Sequence, residues 1–161
     1  MGAEPTDAER AKPLLDQLCR RLEHCGPVGA GSAIKLAVNL PLMVSWQAFG
    51  EAFALCGHVG FEPQRLLSLF TDISATSNAL KMRAPMMVAM LEGRDPGPVT
   101  FDVDVARKDL RTMLAEAKLR GVELPLVERT LACFDEASRH GFGKQDGSSL
   151  SVYWPSRASE A

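Results

Sequence analysis

Gly29-Ala30-Gly31-Ser32-Ala33-Ile34-Lys35-Leu36-Ala37-Val38-Asn39 opens a run that stays apolar as far as Gly57. From Ala33 onward it carries only Lys35, Asn39, Ser45, Gln47 and Glu51 as strongly polar side chains. A helix that is apolar round most of its girth belongs in the middle of a bundle or in a membrane. Lys35 and Asn39 are four residues apart, so they project from one face, one turn apart. A lysine in a helix's first turn is opposed by the positive end of the helix dipole, and burial opposes its charge as well. Both effects suit an amine that exchanges a proton at neutral pH. Lys35 is therefore the first residue to which chemistry is assigned.

Membrane insertion is the other reading of such a run, because its length from Leu36 to Gly57 is sufficient. Gln47 and Glu51 interrupt it, its flanks lack a basic cluster or an aromatic belt, and no second apolar span follows. A buried helix of a water-soluble protein is expected. With 161 residues and a net charge of −2, the chain has the size of one domain with a real core and lacks the basic stripe of a nucleic-acid binder. Cys19, Cys25, Cys56 and Cys133 have no CxxC spacing, and no histidine pair falls at metal-ligand spacing. They read as reduced thiols of a cytoplasmic protein, and no metal site is predicted.

Upstream of the run, Thr6 or Asp7 is expected to cap a helix whose apolar face is Leu14, Leu15, Leu18 and Leu22. Gly26-Pro27 marks the linker after it. Pro41 lies inside the long helix and is expected to bend it. Downstream, Pro63 opens a short helix containing Leu66, Leu67, Leu69 and Phe70, expected to be buried. Thr71 to Asn78 reads as caps and turns. Met82, Met86, Met87, Met90 and Leu91 follow at helical spacing, as core-filling methionines. Glu92 to Pro98 is a loop. Leu110, Met113, Leu114 and Ala117 form the inward face of a helix ended by Gly121. Pro125 starts another, with Leu131, Phe134 and Ala137 inward. Asp146-Gly147-Ser148-Ser149 caps a last short helix through Tyr153, after which the tail beyond Pro155 is expected to fray. Glu51, on an apolar face, is expected to find an internal hydrogen bond or ion pair. His24, His58 and His140 receive no chemistry. No alternating strand pattern occurs, so the predicted fold is all-α, a bundle of six or seven helices around the one carrying Lys35.

Gly26 to Asn39 resembles the GxGxGxxxKxxxN segment of the β-hydroxyacid dehydrogenases, the family that includes 3-hydroxyisobutyrate dehydrogenase and the glyoxylate/succinic semialdehyde reductases. Phe101 followed by Lys108-Asp109-Leu110 is similar to the family's second, cofactor-side signature. Gly141-Phe142-Gly143-Lys144-Gln145-Asp146 is similar to its terminal GxGxxD segment. Ala11-Lys12-Pro13-Leu14-Leu15 is similar to the segment that ends its nucleotide-binding domain. The three main signatures stand in the family's order and cover nearly the whole chain.

The resemblance implies that residues 1–27 are the end of a Rossmann domain and that 28–161 form the all-α substrate-binding and dimerisation domain, like that of 6-phosphogluconate dehydrogenase. The strand-turn-helix that cradles pyrophosphate is not in this sequence. In the family's terms Lys35 is the catalytic acid/base. Asn39 orients substrate, and Gly29 and Gly31 leave the backbone bare where substrate approaches. Lys108, Asp109 and Phe101 lie on the side of the cofactor, NAD or NADP, which a domain outside this sequence chiefly binds. The implied substrate is a small hydroxy acid or its semialdehyde, the implied assembly a homodimer. A competing reading is a helical dimerisation module without catalysis.

Overall fold

A computed structural model describes residues 1–73 and 76–158, and its backbone divides into two units, Met1–Pro41 and Leu42–Ala161. Seven α-helices lie among the described residues: α1 (Pro5–Leu18), α2 (Ala30–Cys56), α3 (Pro63–Thr71), α4 (Asn78–Leu91), α5 (Val103–Arg120), α6 (Pro125–Ala137) and α7 (Leu150–Ala158). No strand occurs among those residues; the fold is all-α.

In the first unit, α1 begins at Pro5, whose fixed φ suits the first helical position. The expected caps, Thr6 and Asp7, therefore lie inside the helix, and Asp7 instead bonds Arg10 at 3.3 Å. Leu22 lies beyond the end of the helix, while Leu14 and Leu18 are exposed, so the expected apolar face is not buried in this chain. Met1–Ala3 runs alongside Cys25–Gly26, held by Ala3 N–H to Gly26 O (2.9 Å) and Cys25 N–H to Met1 O (2.8 Å). The Gly26-Pro27 turn that follows requires φ of +114° at Gly26, a conformation glycine adopts without penalty.

The burial predicted from the apolar girth of α2 is met only from Met43 onward. Met43, Trp46, Gln47, Gly50 and Phe53 are buried, whereas Ile34 and Val38 are exposed. The buried half is where neighbours arrive. Phe53 meets Phe70 of α3 edge-on with ring centres 4.9 Å apart. Trp154 of α7 donates its indole N–H to Gln47 Oε1 at 2.7 Å. At Gly50 a β-carbon would collide with the backbone of Leu150. Glu51 accepts from Gln47 Nε2 at 2.8 Å, the internal bond its position called for. Pro41 lies within the continuous helix.

The rest of the second unit follows its punctuation. Gly121, at φ +66°, ends α5 with its N–H on Ala117 O and Lys118 O. Pro125 opens α6, which packs along α5; Leu110 and Met113 of α5 and Val127 and Phe134 of α6 are buried. Two apolar expectations fail. Leu69 is half exposed, and Met82 is 81% exposed on the outer side of α4, while Met87 is fully buried. Periodicity could not say which of four methionines falls outside the stripe. Asp146 does cap the turn Gly147–Ser149, but α7 continues through Pro155 to Ala158, three residues beyond the expected frayed start. The remainder of that expected tail, and the hydroxyl of Ser74 in the Thr71–Asn78 stretch, lie outside the described residues.

Candidate functional site

Lys35 and Asn39 sit on one face of α2, as their spacing requires, with Lys35 exposed and Asn39 half-buried. Two features of the expectation change. The helix begins at Ala30, so Lys35 is in its second turn, where the dipole's influence has largely faded. Burial is absent too. Ile34 and Val38, also four residues apart, are 53% and 68% exposed. Together the four side chains form an open strip of amine, amide and apolar surface. No carboxylate among the described residues pairs with the Lys35 ammonium, which leaves it available to a bound oxygen.

The two glycines differ. Gly29 takes φ +95°, and a β-carbon there would meet nothing within 4 Å, so the backbone before α2 is bare. At Gly31 a β-carbon would stand 2.9 Å from Gly2 N and 3.1 Å from the Met1 carbonyl carbon. What Gly31 accommodates in this chain is the passage of Met1–Gly2.

In the other unit, Phe101 precedes α5 and Lys108 and Asp109 lie in its second turn. Lys108 is exposed and without a carboxylate partner among the described residues, and Asp109 and Phe101 are half-buried. The sequence therefore supplies two sets of residues, each gathered locally.

Around this second set lies polar structure that was not read from the sequence. Asp102 caps α5 by accepting from Val105 N–H at 2.7 Å. Two turns of ionic contact follow. Arg107 bonds Asp104 at 2.7 Å and Asp135 of α6 at 2.6 Å, and Arg111 reaches the same Asp135 oxygen at 2.6 Å. Ser138 donates to Asp104 at 2.8 Å, and Lys144 lies 3.2 Å from it. Hydrogen bonds from Ser138, Arg107 and Lys144 hold the Asp104 carboxyl at about 2, below the usual carboxylate range. Gly143 belongs to the same cluster, since a β-carbon there would come within 2.9 Å of the Asp104 oxygens.

A second ionic contact is buried. Arg83 of α4 bonds Asp146 at 2.9 Å, with the aspartate side chain only 1% exposed. One sequence signal could have found it. Arg83 lies three residues after Leu80 and four before Met87, both fully buried, so it sits on the inward stripe of α4. A cation there requires an acceptor. All four cysteines are free thiols, and burial raises Cys133 above the ordinary thiol range. No described helix is long and apolar enough to cross a membrane.

Residues 29–154 match the family model described as NAD-binding of NADP-dependent 3-hydroxyisobutyrate dehydrogenase. Among curated proteins the chain is 29% identical over 154 residues to 2-(hydroxymethyl)glutarate dehydrogenase of Eubacterium barkeri, covering 96% of this chain and 50% of that protein. It is also 29% identical over 143 residues to glyoxylate/succinic semialdehyde reductase 1 of Arabidopsis thaliana, covering 88% of this chain and 47% of the relative. Among solved structures, the crystal structure of 3-hydroxyisobutyrate dehydrogenase from Salmonella typhimurium superposes with a TM-score of 0.81 at 27% identity, over 94% of this chain and 52% of that one. The chain thus spans about half the length of the relatives it matches. These matches make it a member of the 3-hydroxyisobutyrate dehydrogenase family, whose cofactor is NAD or NADP.

Proposed function

We propose that this chain is the helical part of an NAD(P)-dependent β-hydroxyacid dehydrogenase, in which residues 1–27 end a Rossmann domain and 28–161 form the substrate-binding and dimerisation domain. The observation that supports this most is the family match from residue 29 to 154 in a chain spanning half of its relatives, with Lys35 and Asn39 presented together on an open face of α2. The reaction oxidises a 3-hydroxy acid or reduces the corresponding semialdehyde.

NAD or NADP, when bound, accepts or supplies the hydride. In the reducing direction the Lys35 ammonium donates a proton to the carbonyl oxygen, which becomes the hydroxyl. In the oxidising direction the neutral amine takes the hydroxyl proton. Asn39, one turn on, hydrogen-bonds the substrate and fixes its orientation against that amine. Gly29 leaves room for the substrate carboxylate at the start of α2, where helix amides favour an anion. In this reading Gly31 acts on the backbone that shapes that entrance. Phe101, Lys108 and Asp109 hold the cofactor's near side, the ring by stacking and the ammonium by charge.

The exposed strip of Ile34 and Val38, together with Leu14 and Leu18, suits a protein that completes its surface with other chain segments and pairs as a homodimer. A panel of small 3-hydroxy acids and semialdehydes, assayed with NAD and NADP on the protein that joins this chain to a nucleotide-binding half, tests the proposal. Turnover of at least one hydroxy acid is expected. The isolated chain is expected to bind NADH and NADPH weakly and to turn over nothing. Tight cofactor binding by the chain alone would contradict the division of labour. A whole protein that dimerises and is inert to every acid would favour the non-catalytic module.

A further inference from the structure

Several hydrogen bonds converge on the short segment Thr100–Asp102. Arg83 projects from the inward stripe of α4 and uses both ends of its guanidinium. Nη1 bonds Asp146 Oδ2 at 2.9 Å, and Nη2 donates to Thr100 Oγ1 at 2.7 Å. Asp146 is fully occupied as well, because its Oδ1 accepts from Ser148 N–H at 3.1 Å and from Ser148 Oγ at 2.7 Å. The chain beyond Asp146 then returns to the same place. Gly147 N–H donates to Phe101 O at 2.8 Å, and Val103 N–H donates to Gln145 O at 2.9 Å. The Phe101 ring rests against Trp46, with centroids 6.0 Å apart and planes at 46°. Trp46 is itself buried, 1% exposed, and lies where a β-carbon on Gly147 would come within 2.9 Å of its Cε3.

We infer that Arg83 and Asp146 are positioning residues for the cofactor-side segment: through Thr100 and the Gly147 backbone they set the orientation of Phe101 and of the start of α5 that carries Lys108 and Asp109. The inference rests on the proposed reading that these three residues face NAD or NADP.

Neutralising a buried carboxylate does not explain the arrangement by itself. A buried ion pair contributes little net stability compared with apolar side chains of similar volume, and its better attested use is to fix one arrangement. Thr100 is exposed and needs no internal partner for its hydroxyl, yet the second arm of Arg83 is directed to it. A planar guanidinium bonding in two directions fixes an angle that a point charge would not.

The test uses the whole enzyme and reads NADH and NADPH affinity by fluorescence titration, alongside amide hydrogen exchange at Val103 and Gly147 without cofactor. Thr100→Val removes only the arm to the segment and leaves the Arg83–Asp146 pair in place. It is expected to weaken cofactor binding about threefold to tenfold, to speed exchange at Val103, and to leave the melting temperature nearly unchanged. Arg83→Met is expected to weaken binding further, and Arg83→Lys to recover part of the loss. Lys108→Met serves as the control for the cofactor-side reading. If Lys108→Met weakens binding while Thr100→Val leaves it unaltered, the positioning role is overturned and the reading stands. If neither changes it, the reading fails and the positioning role with it. Should Arg83→Met not fold, Thr100→Val decides alone.

Discussion

The starts of α2 and α5 are built on opposite plans. At the opening of α2 the polar groups stand exposed among exposed apolar ones, and Lys35 has no carboxylate partner among the described residues. At the opening of α5, Asp102, Asp104, Arg107, Asp135, Ser138 and Lys144 bond one another, and Asp146 is buried against Arg83. An interlocked network is preorganised before any ligand arrives. The exposed Lys35 amine has no such network around it. The difference fits the division proposed above, in which the start of α5 is the cofactor side and is braced within this chain, while Lys35, the proposed proton-transfer group, is enclosed by other protein or by substrate.

Substitutions rank the two regions by how much structure depends on them. Removing the Arg83 charge by Arg83→Met strands Asp146 in the interior and should lower unfolding free energy by about 3–5 kcal/mol, measured by urea titration. A loss below about 1 kcal/mol would contradict a structural role for the buried pair. Gly147→Ala forces a methyl group onto the Trp46 ring and should be destabilising by about 1–3 kcal/mol, with a shift in tryptophan fluorescence.

Asp104→Asn should lower stability by about 1–2 kcal/mol at neutral pH. The sign of its pH dependence follows from the lowered value. The folded-state carboxyl, at about 2, lies below the ordinary aspartate value of about 3.9. Its stabilisation is therefore present above about pH 4 and disappears as the pH falls toward about 2. Between those values wild type should lose stability faster than Asp104→Asn, and parallel curves would rule the network out as its source. At the other end of the scale, Lys35→Met on the exposed face of α2 should change stability by less than about 0.5 kcal/mol.

Helices were the most legible feature of the sequence because their ends carry local chemistry. Pro63, Gly121 and Pro125 each mark a boundary that a single residue's backbone preference decides. Pro5 was passed over for Thr6 and Asp7, since the cap residues and a first-turn proline compete for the same reading. Burial was less legible, because an apolar side chain does not name its partner. Ile34 and Met43 look alike in sequence, yet one is half exposed and the other fully buried.

The candidate residues were legible by resemblance and by spacing, Lys35 with Asn39 above all. The contacts around α5 were not, since Arg107 to Asp135 and Arg83 to Asp146 join residues 28 and 63 positions apart. No periodicity within one helix reports such a meeting. The inward place of Arg83 between Leu80 and Met87 signalled that a partner must exist, without saying which.

The turnover number of Lys35→Met in the whole enzyme, measured beside NADH and NADPH affinity, is the most direct test of proton transfer at α2. A loss of about 10²- to 10⁴-fold in kcat is expected, with cofactor affinity unchanged and the fold intact. A variant that kept wild-type kcat would contradict the assignment of proton transfer to Lys35.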